Sequence, residues 1–118
     1  PPGRGALIEN LVAISLKKRE LAGDISLFHW KSPQGEEVDF LVKEGSHVSQ
    51  LIQVSTDVSD PRTLMRELRG LVKASAELEC RELLLLNDSA DRTETFQWRG
   101  VEREVRLLPV WKWLIDHP

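Results

Sequence analysis

A chain of 118 residues, 41% hydrophobic and 30% charged, can build one domain with a core and is too short for two. Its formal charge of −3 gives no global attraction to nucleic acid or anionic lipid, so either partner would need a local patch. A single cysteine, Cys80, excludes an internal disulfide and a thiolate metal cluster, and no apolar run is long enough to cross a bilayer. No signal-peptide pattern opens the chain, so the expectation is a cytoplasmic protein without a membrane partner. The Pro-Pro-Gly start suggests a domain excised from a longer polypeptide.

Residues 6–21 read as the first helix. Leu7, Leu11, Ile14 and Lys18 share one side of a 3.6-residue wheel, with Ile8, Val12 and Ser15 beside them, and so broad a stripe predicts a well-buried helix. Glu9 stands at the flank of that stripe, on the side of Val12 and Leu16. Gly23 ends the helix. Residues 25–30 are aromatic and β-favouring, and the turn chemistry of Ser32-Pro33-Gln34-Gly35 follows them. In residues 37–42, Val38, Phe40 and Val42 alternate with Glu37, Asp39 and Leu41, which predicts a second strand. A polar turn is expected over 43–50 and a third strand over 51–55. If the last two strands pair as a hairpin, Asp39, Gln53 and Ser55 gather on one side of the sheet.

Asp60-Pro61 announces the second helix, over 61–79, because Asp60 can cap its free amides and Pro61 suits the first helical position. Leu64, Leu68, Leu71, Val72, Ser75 and Leu78 fall on one side of it, and Arg62, Arg66, Arg69 and Lys73 fall in an arc on the other. Leu83-Leu84-Leu85-Leu86 reads as a strand buried on both faces, parallel to the third strand because a helix joins the two. Strands over 94–98 and 101–108, about an Arg99-Gly100 turn, lead to a short closing helix after Pro109. Trp111 and Trp113 cannot both face inward from that helix, so one of them is expected to meet a partner. The sum is an α/β fold, a mixed sheet with helices on its faces.

Chemistry concentrates on Glu9, Asp39, Gln53 and Ser55. Oxygen ligands on a helix and two neighbouring strands can hold Mg²⁺ or Mn²⁺ and set a water against a phosphodiester. Taken singly, each is equally an ordinary polar residue. The basic arc has two readings, a phosphate-contacting surface or a solvated helix face. His29, His47 and His117 have no zinc-ligand spacing, and the chain has no phosphate-binding glycine loop with which to bind ATP itself.

The order of these motifs, with Glu9 in Ala6-Leu7-Ile8-Glu9-Asn10-Leu11-Val12, Asp39 in Glu37-Val38-Asp39-Phe40, then Gln53-Val54-Ser55, resembles the PD-(D/E)XK nuclease superfamily, which includes Holliday-junction resolvases. More narrowly, Glu37-Val38-Asp39-Phe40, Leu51-Ile52-Gln53-Val54, Thr63-Leu64-Met65-Arg66-Glu67-Leu68 and Leu108-Pro109-Val110-Trp111-Lys112-Trp113 are similar to the C-terminal domain of unknown function of archaeal and bacterial AAA-type, P-loop ATPases. The resemblance implies a restriction-endonuclease-like sheet with an αβββαβ core. It makes Glu9, Asp39 and Gln53 the metal ligands and catalytic residues, with Ser55 where the family has a lysine. Gln53 replaces a glutamate, so the pattern is a degenerate one; Lys43 or Lys17 could stand in for the missing cation. The partners it implies are DNA, held by Arg62, Arg66, Arg69 and Lys73, and an ATPase module that would bind ATP. An active Mg²⁺- or Mn²⁺-dependent DNA endonuclease and a protein-interaction or homodimerisation domain are the alternatives.

Overall fold

The computed structural model describes residues 3–118; Pro1 and Pro2, and with them the start that suggested an excised domain, lie outside the described residues. The elements in chain order are α1 (Arg4–Leu21), β1 (Ser26–Lys31), β2 (Glu37–Glu44), β3 (His47–Val54), α2 (Pro61–Leu78), β4 (Leu83–Asn87), β5 (Arg92–Trp98), β6 (Val101–Pro109) and α3 (Val110–Asp116). The strands form one six-stranded mixed sheet in the order β1-β2-β3-β4-β6-β5. β1, β2 and β3 are an antiparallel meander, β3, β4 and β6 run parallel, and β5 closes the far edge antiparallel to β6.

Both faces of the sheet are covered. α2 packs Leu68, Leu71, Val72 and Ala74 over Leu51, Leu85, Val105 and Leu107 on one face. On the other, Val12 and Leu16 of α1 and Val110 and Trp113 of α3 cover Val42, Ile52, Leu84 and Leu86. β4 lies between the layers, which is why Leu83–Asn87 is buried at every position and carries an unbroken apolar run. α2 begins as its sequence requires, with the Asp60 side chain accepting from the Arg62 amide and Pro61 at the first helical position. Gly70 lets the helix approach the β1–β2 turn, since a Cβ there would stand 3.2 Å from Glu36 Cβ.

Two expectations are corrected and a third holds. The broad stripe of α1 is not buried as a whole: Leu7, Leu11, Ile14 and Leu21 are 59%, 41%, 56% and 88% exposed, while Val12 and Leu16 form the core contact. Apolar residues surround this helix, and periodicity alone does not choose between its sides. The turn expected over 43–50 shrinks to Gly45 and Ser46, because Gly45 takes φ +62 and one left-handed residue there lets the strands run on to Glu44 and from His47. Finally, the tryptophans divide as their spacing requires, with Trp113 3% and Trp111 58% exposed.

The β5–β6 hairpin turns through Arg99 and Gly100, at φ +48 and +80. Two positive φ angles suit the twist of a two-residue hairpin, which normally selects asparagine, aspartate or glycine first. Arginine in that conformation costs about 1–2 kcal/mol.

Candidate functional site

β2 carries an irregularity where the site is built. Against β1, Phe28 pairs with Leu41 and Trp30 with Val38, so Asp39 and Phe40 together face His29. This bulge explains why Val38 and Leu41, three residues apart, reach the same core cluster. It also turns Asp39 sideways, toward β3. There the regular ladder ends at Phe40 and Ile52, and side chains continue it. The Asp39 amide donates to Gln53 Oε1 at 2.8 Å, and the Val54 amide donates to Asp39 Oδ2 at 3.1 Å.

The network runs on into α2. Gln53 Nε2 donates to Glu67 Oε2 at 2.6 Å, a short bond of the kind a carboxylate makes. Glu67 is buried, and Arg66 Nε lies 3.4 Å from its other oxygen. Gln53 therefore has both ends of its amide engaged. Burial pushes the Asp39 carboxyl up, to about 6; the Val54 amide opposes this, and the Glu9 and Glu67 carboxylates add to it. Burial raises Glu67 as well, against the pull of Gln53 and Arg66.

The sequence-predicted residues are thus brought together unevenly. Asp39 and Gln53 touch. Glu9 is exposed on α1, near enough for its charge to act on Asp39. Ser55 is half-buried just past β3, its amide donating to the Leu86 carbonyl at 2.9 Å. Neither lysine considered for the missing cation is at the site: Lys43 Nζ lies 5.5 Å from the centre of the Phe28 ring, and Lys17 pairs with Glu20 at 2.9 Å. As a metal-binding set these donors fit poorly. Gln53 Oε1 and Asp39 Oδ2 already accept backbone amides, and among the described residues no three His, Cys, Asp or Glu side chains are grouped to hold a metal ion.

The basic arc of α2 is not one surface. Glu36, 6% exposed, receives Arg69 Nε on one oxygen at 2.7 Å and Lys73 Nζ on the other at 3.0 Å. Burial pushes the Glu36 carboxyl up, but the Ser32 hydroxyl, Arg69 and Lys73 outweigh it and hold it at about 2. Arg69 and Lys73 therefore fasten α2 to the β1–β2 turn, leaving Arg62 and Arg66 as the exposed pair.

Glu67 is the site residue that sequence reasoning passed over. Its only signal was position: a carboxylate one residue from Leu68 lies at the edge of the buried stripe, where it reads equally as a charge balancing the arginines.

Two comparisons with known proteins bear on this site. "Uncharacterized protein MJ1544" of Methanocaldococcus jannaschii is 27% identical over 116 residues, covering 97% of this chain and 25% of that protein. The chain thus spans about a quarter of the length of the curated relative it matches. The family model described as a domain of unknown function, DUF4143, matches residues 4–110, a span that takes in α1, all six strands and α2; the chain belongs to the DUF4143 family.

Proposed function

We propose that this chain is a catalytically degenerate, nuclease-like domain with a restriction-endonuclease-like core, and that it serves an AAA-type ATPase as an accessory domain contacting DNA or the ATPase module. The observation that carries the reading is the Gln53 amide, fixed between the Asp39 amide and Glu67 at the junction of β2 and β3. In the resemblance drawn from sequence, a free glutamate ligand belongs at that position. Here an amide closes a hydrogen-bonded network, and position 55 is a serine, which carries no cation of its own. The polar cluster then serves to hold the splayed hairpin against α2. Two surfaces remain for partners. Arg62 and Arg66 can meet phosphates, and the exposed line of Leu7, Leu11, Ile14 and Leu21 suits a protein neighbour.

The test is DNA cleavage by the chain, alone and within its whole polypeptide, on branched and linear substrates with Mg²⁺ or Mn²⁺. No cleavage is expected, together with DNA binding that weakens with salt and with Arg62→Glu and Arg66→Glu. Metal-dependent cleavage that disappears in Asp39→Ala would establish an active endonuclease in place of this reading. The raised Asp39 carboxyl is the one feature that favours that second possibility.

A further inference from the structure

Side chains from both edge strands of the sheet line a cavity over the C-terminal half of α2. Trp30 of β1 and Trp98 of β5 line one cavity of about 410 Å³, together with Pro33, Lys73, Glu77 and Arg99. That volume is within the roughly 300–1,000 Å³ typical of small-molecule sites. Its walls are of three kinds. The indoles and Pro33 give a flat apolar lining. Glu77 accepts the Trp30 indole N–H on Oε2 at 2.8 Å, which orients the carboxylate along the wall. Two cations stand over the Trp98 ring, Lys73 Nζ at 5.3 Å and Arg99 Cζ at 5.2 Å from its centre.

The cations differ in their commitments. Lys73 is bound to Glu36 and to Gln34 Oε1 at 3.1 Å, so it belongs to the wall. Arg99 is exposed, and its guanidinium lies over the Trp98 ring. It also holds a left-handed conformation, as Glu79 does at the end of α2, at a turn position that usually takes asparagine or glycine. A strained arginine at the mouth of an aromatic cavity indicates a function for its side chain.

We infer that this cavity binds a nucleotide, with the base against the apolar wall that Trp30 and Pro33 form, its N–H edge donating to Glu77, and its phosphate at Arg99 beside the Trp98 ring. An aromatic lining suits any base face, and the carboxylate selects bases that present N–H donors, guanine above all. The guanidinium at the mouth complements the phosphate. The nucleotide could be free or part of a single strand. The strand source rests on the proposed DNA contact, and it has a geometric basis: Arg66 and Lys73 are seven residues apart on α2, or ~10 Å, so a strand could pass from the Arg66 surface to this cavity. The free source is independent of that reading.

The experiment follows the Trp98 indole N–H resonance, assigned with Trp98→Phe, during titration of the intact chain. The probes are guanosine and uridine 5′-monophosphates, a short single-stranded oligonucleotide, a blunt duplex, and a peptide with an aromatic residue between two glutamates. Saturable shifts of Trp98 by guanosine monophosphate below about 1 mM are expected. Arg99→Asn should weaken that binding at least five-fold with no fall in Tm, because asparagine suits the turn, and Glu77→Gln should bring the guanosine-to-uridine preference toward one. A stronger response to the oligonucleotide assigns the strand as the source, and a response to the mononucleotide alone assigns the free nucleotide. Three results overturn the inference: no Trp98 response to any nucleotide, a response indifferent to Arg99→Asn, or a response to the peptide alone. Duplex binding that leaves Trp98 unmoved, alongside no response to the mononucleotides or the oligonucleotide, would overturn it while leaving the proposed DNA contact standing.

Discussion

At Asp39 the backbone bulge, burial and two neighbouring carboxylates act on one side chain. The Val54 amide and the nearby His29 favour the carboxylate, and they do not offset the rest, so the carboxyl is pushed up to about 6 from an ordinary 3.8. The consequence for stability has a definite sign. Below pH 3.8 the folded and unfolded chains are both protonated and Asp39 contributes nothing. Between 3.8 and about 6 the unfolded chain releases the proton first, so stability falls as pH rises, and above about 6 the whole penalty is present. At ~1.4 kcal/mol per pH unit the ceiling is roughly 3 kcal/mol. Asp39→Asn retains an oxygen for the Val54 amide and offers an amide N–H donor, with no charge, to the carboxylates around it. The variant should therefore be more stable at pH 7.5 by about 1–2 kcal/mol, a Tm rise of roughly 4–8 °C, with the gain vanishing near pH 4. A Tm unchanged or lowered at pH 7.5, or a gain independent of pH, would show that the acid is not held at a disadvantage.

The elements show where sequence patterns were sufficient and where they were not. Asp60-Pro61 and Leu83–Asn87 were readable because their causes are local: a cap and a rigid φ in one case, burial on both faces in the other. α1 was not, since Ile8, Val12 and Leu16 make one apolar line and Leu7, Leu11, Ile14 and Leu21 make another. Only the packing of the sheet decides which is core. The same is true of α2, whose arginine and lysine arc was plain, but whose partner Glu36 lies in a turn remote in sequence. Likewise the hairpin placed Asp39 beside Gln53, while Glu67 joined them only through the docking of α2. α1 offers a direct check on the corrected core. Leu16→Ala should destabilise by about 2–5 kcal/mol, as truncation in a packed interior does. Ile14→Gln, on the exposed line, should change stability by no more than about 0.5 kcal/mol in the isolated chain. Denaturant midpoints for the two variants decide it, and equal losses would return the outer line to the core.

Across the whole molecule, the order β1-β2-β3-β4-β6-β5 places the last strand of the chain inside the sheet. β6 has β4 on one side and β5 on the other, so β5 reaches the sheet only through its successor. β5 alternates half-buried and exposed residues and carries Arg92 and Glu94, the charged character of a strand built to be an edge. β4, buried throughout, has no such protection. A chain ending at Gly100 would lose β6 and α3 together, leaving one edge of the Leu83–Asn87 backbone unpaired and uncovering Leu84 and Leu86 where Val110 and Trp113 now pack. It should therefore aggregate, or stay compact without a cooperative unfolding transition, even though β1 to β4 and α2 are all present. Hydrogen exchange on the intact chain measures the same dependence without truncation. The amides joining β3, β4 and β6 should exchange slowest, and those of β5 earlier, because opening the edge exposes little apolar surface while opening the parallel centre exposes both core layers. A soluble 1–100 chain with a sharp thermal transition would instead mean that the meander and α2 form a self-sufficient unit, with β6 a late and dispensable addition.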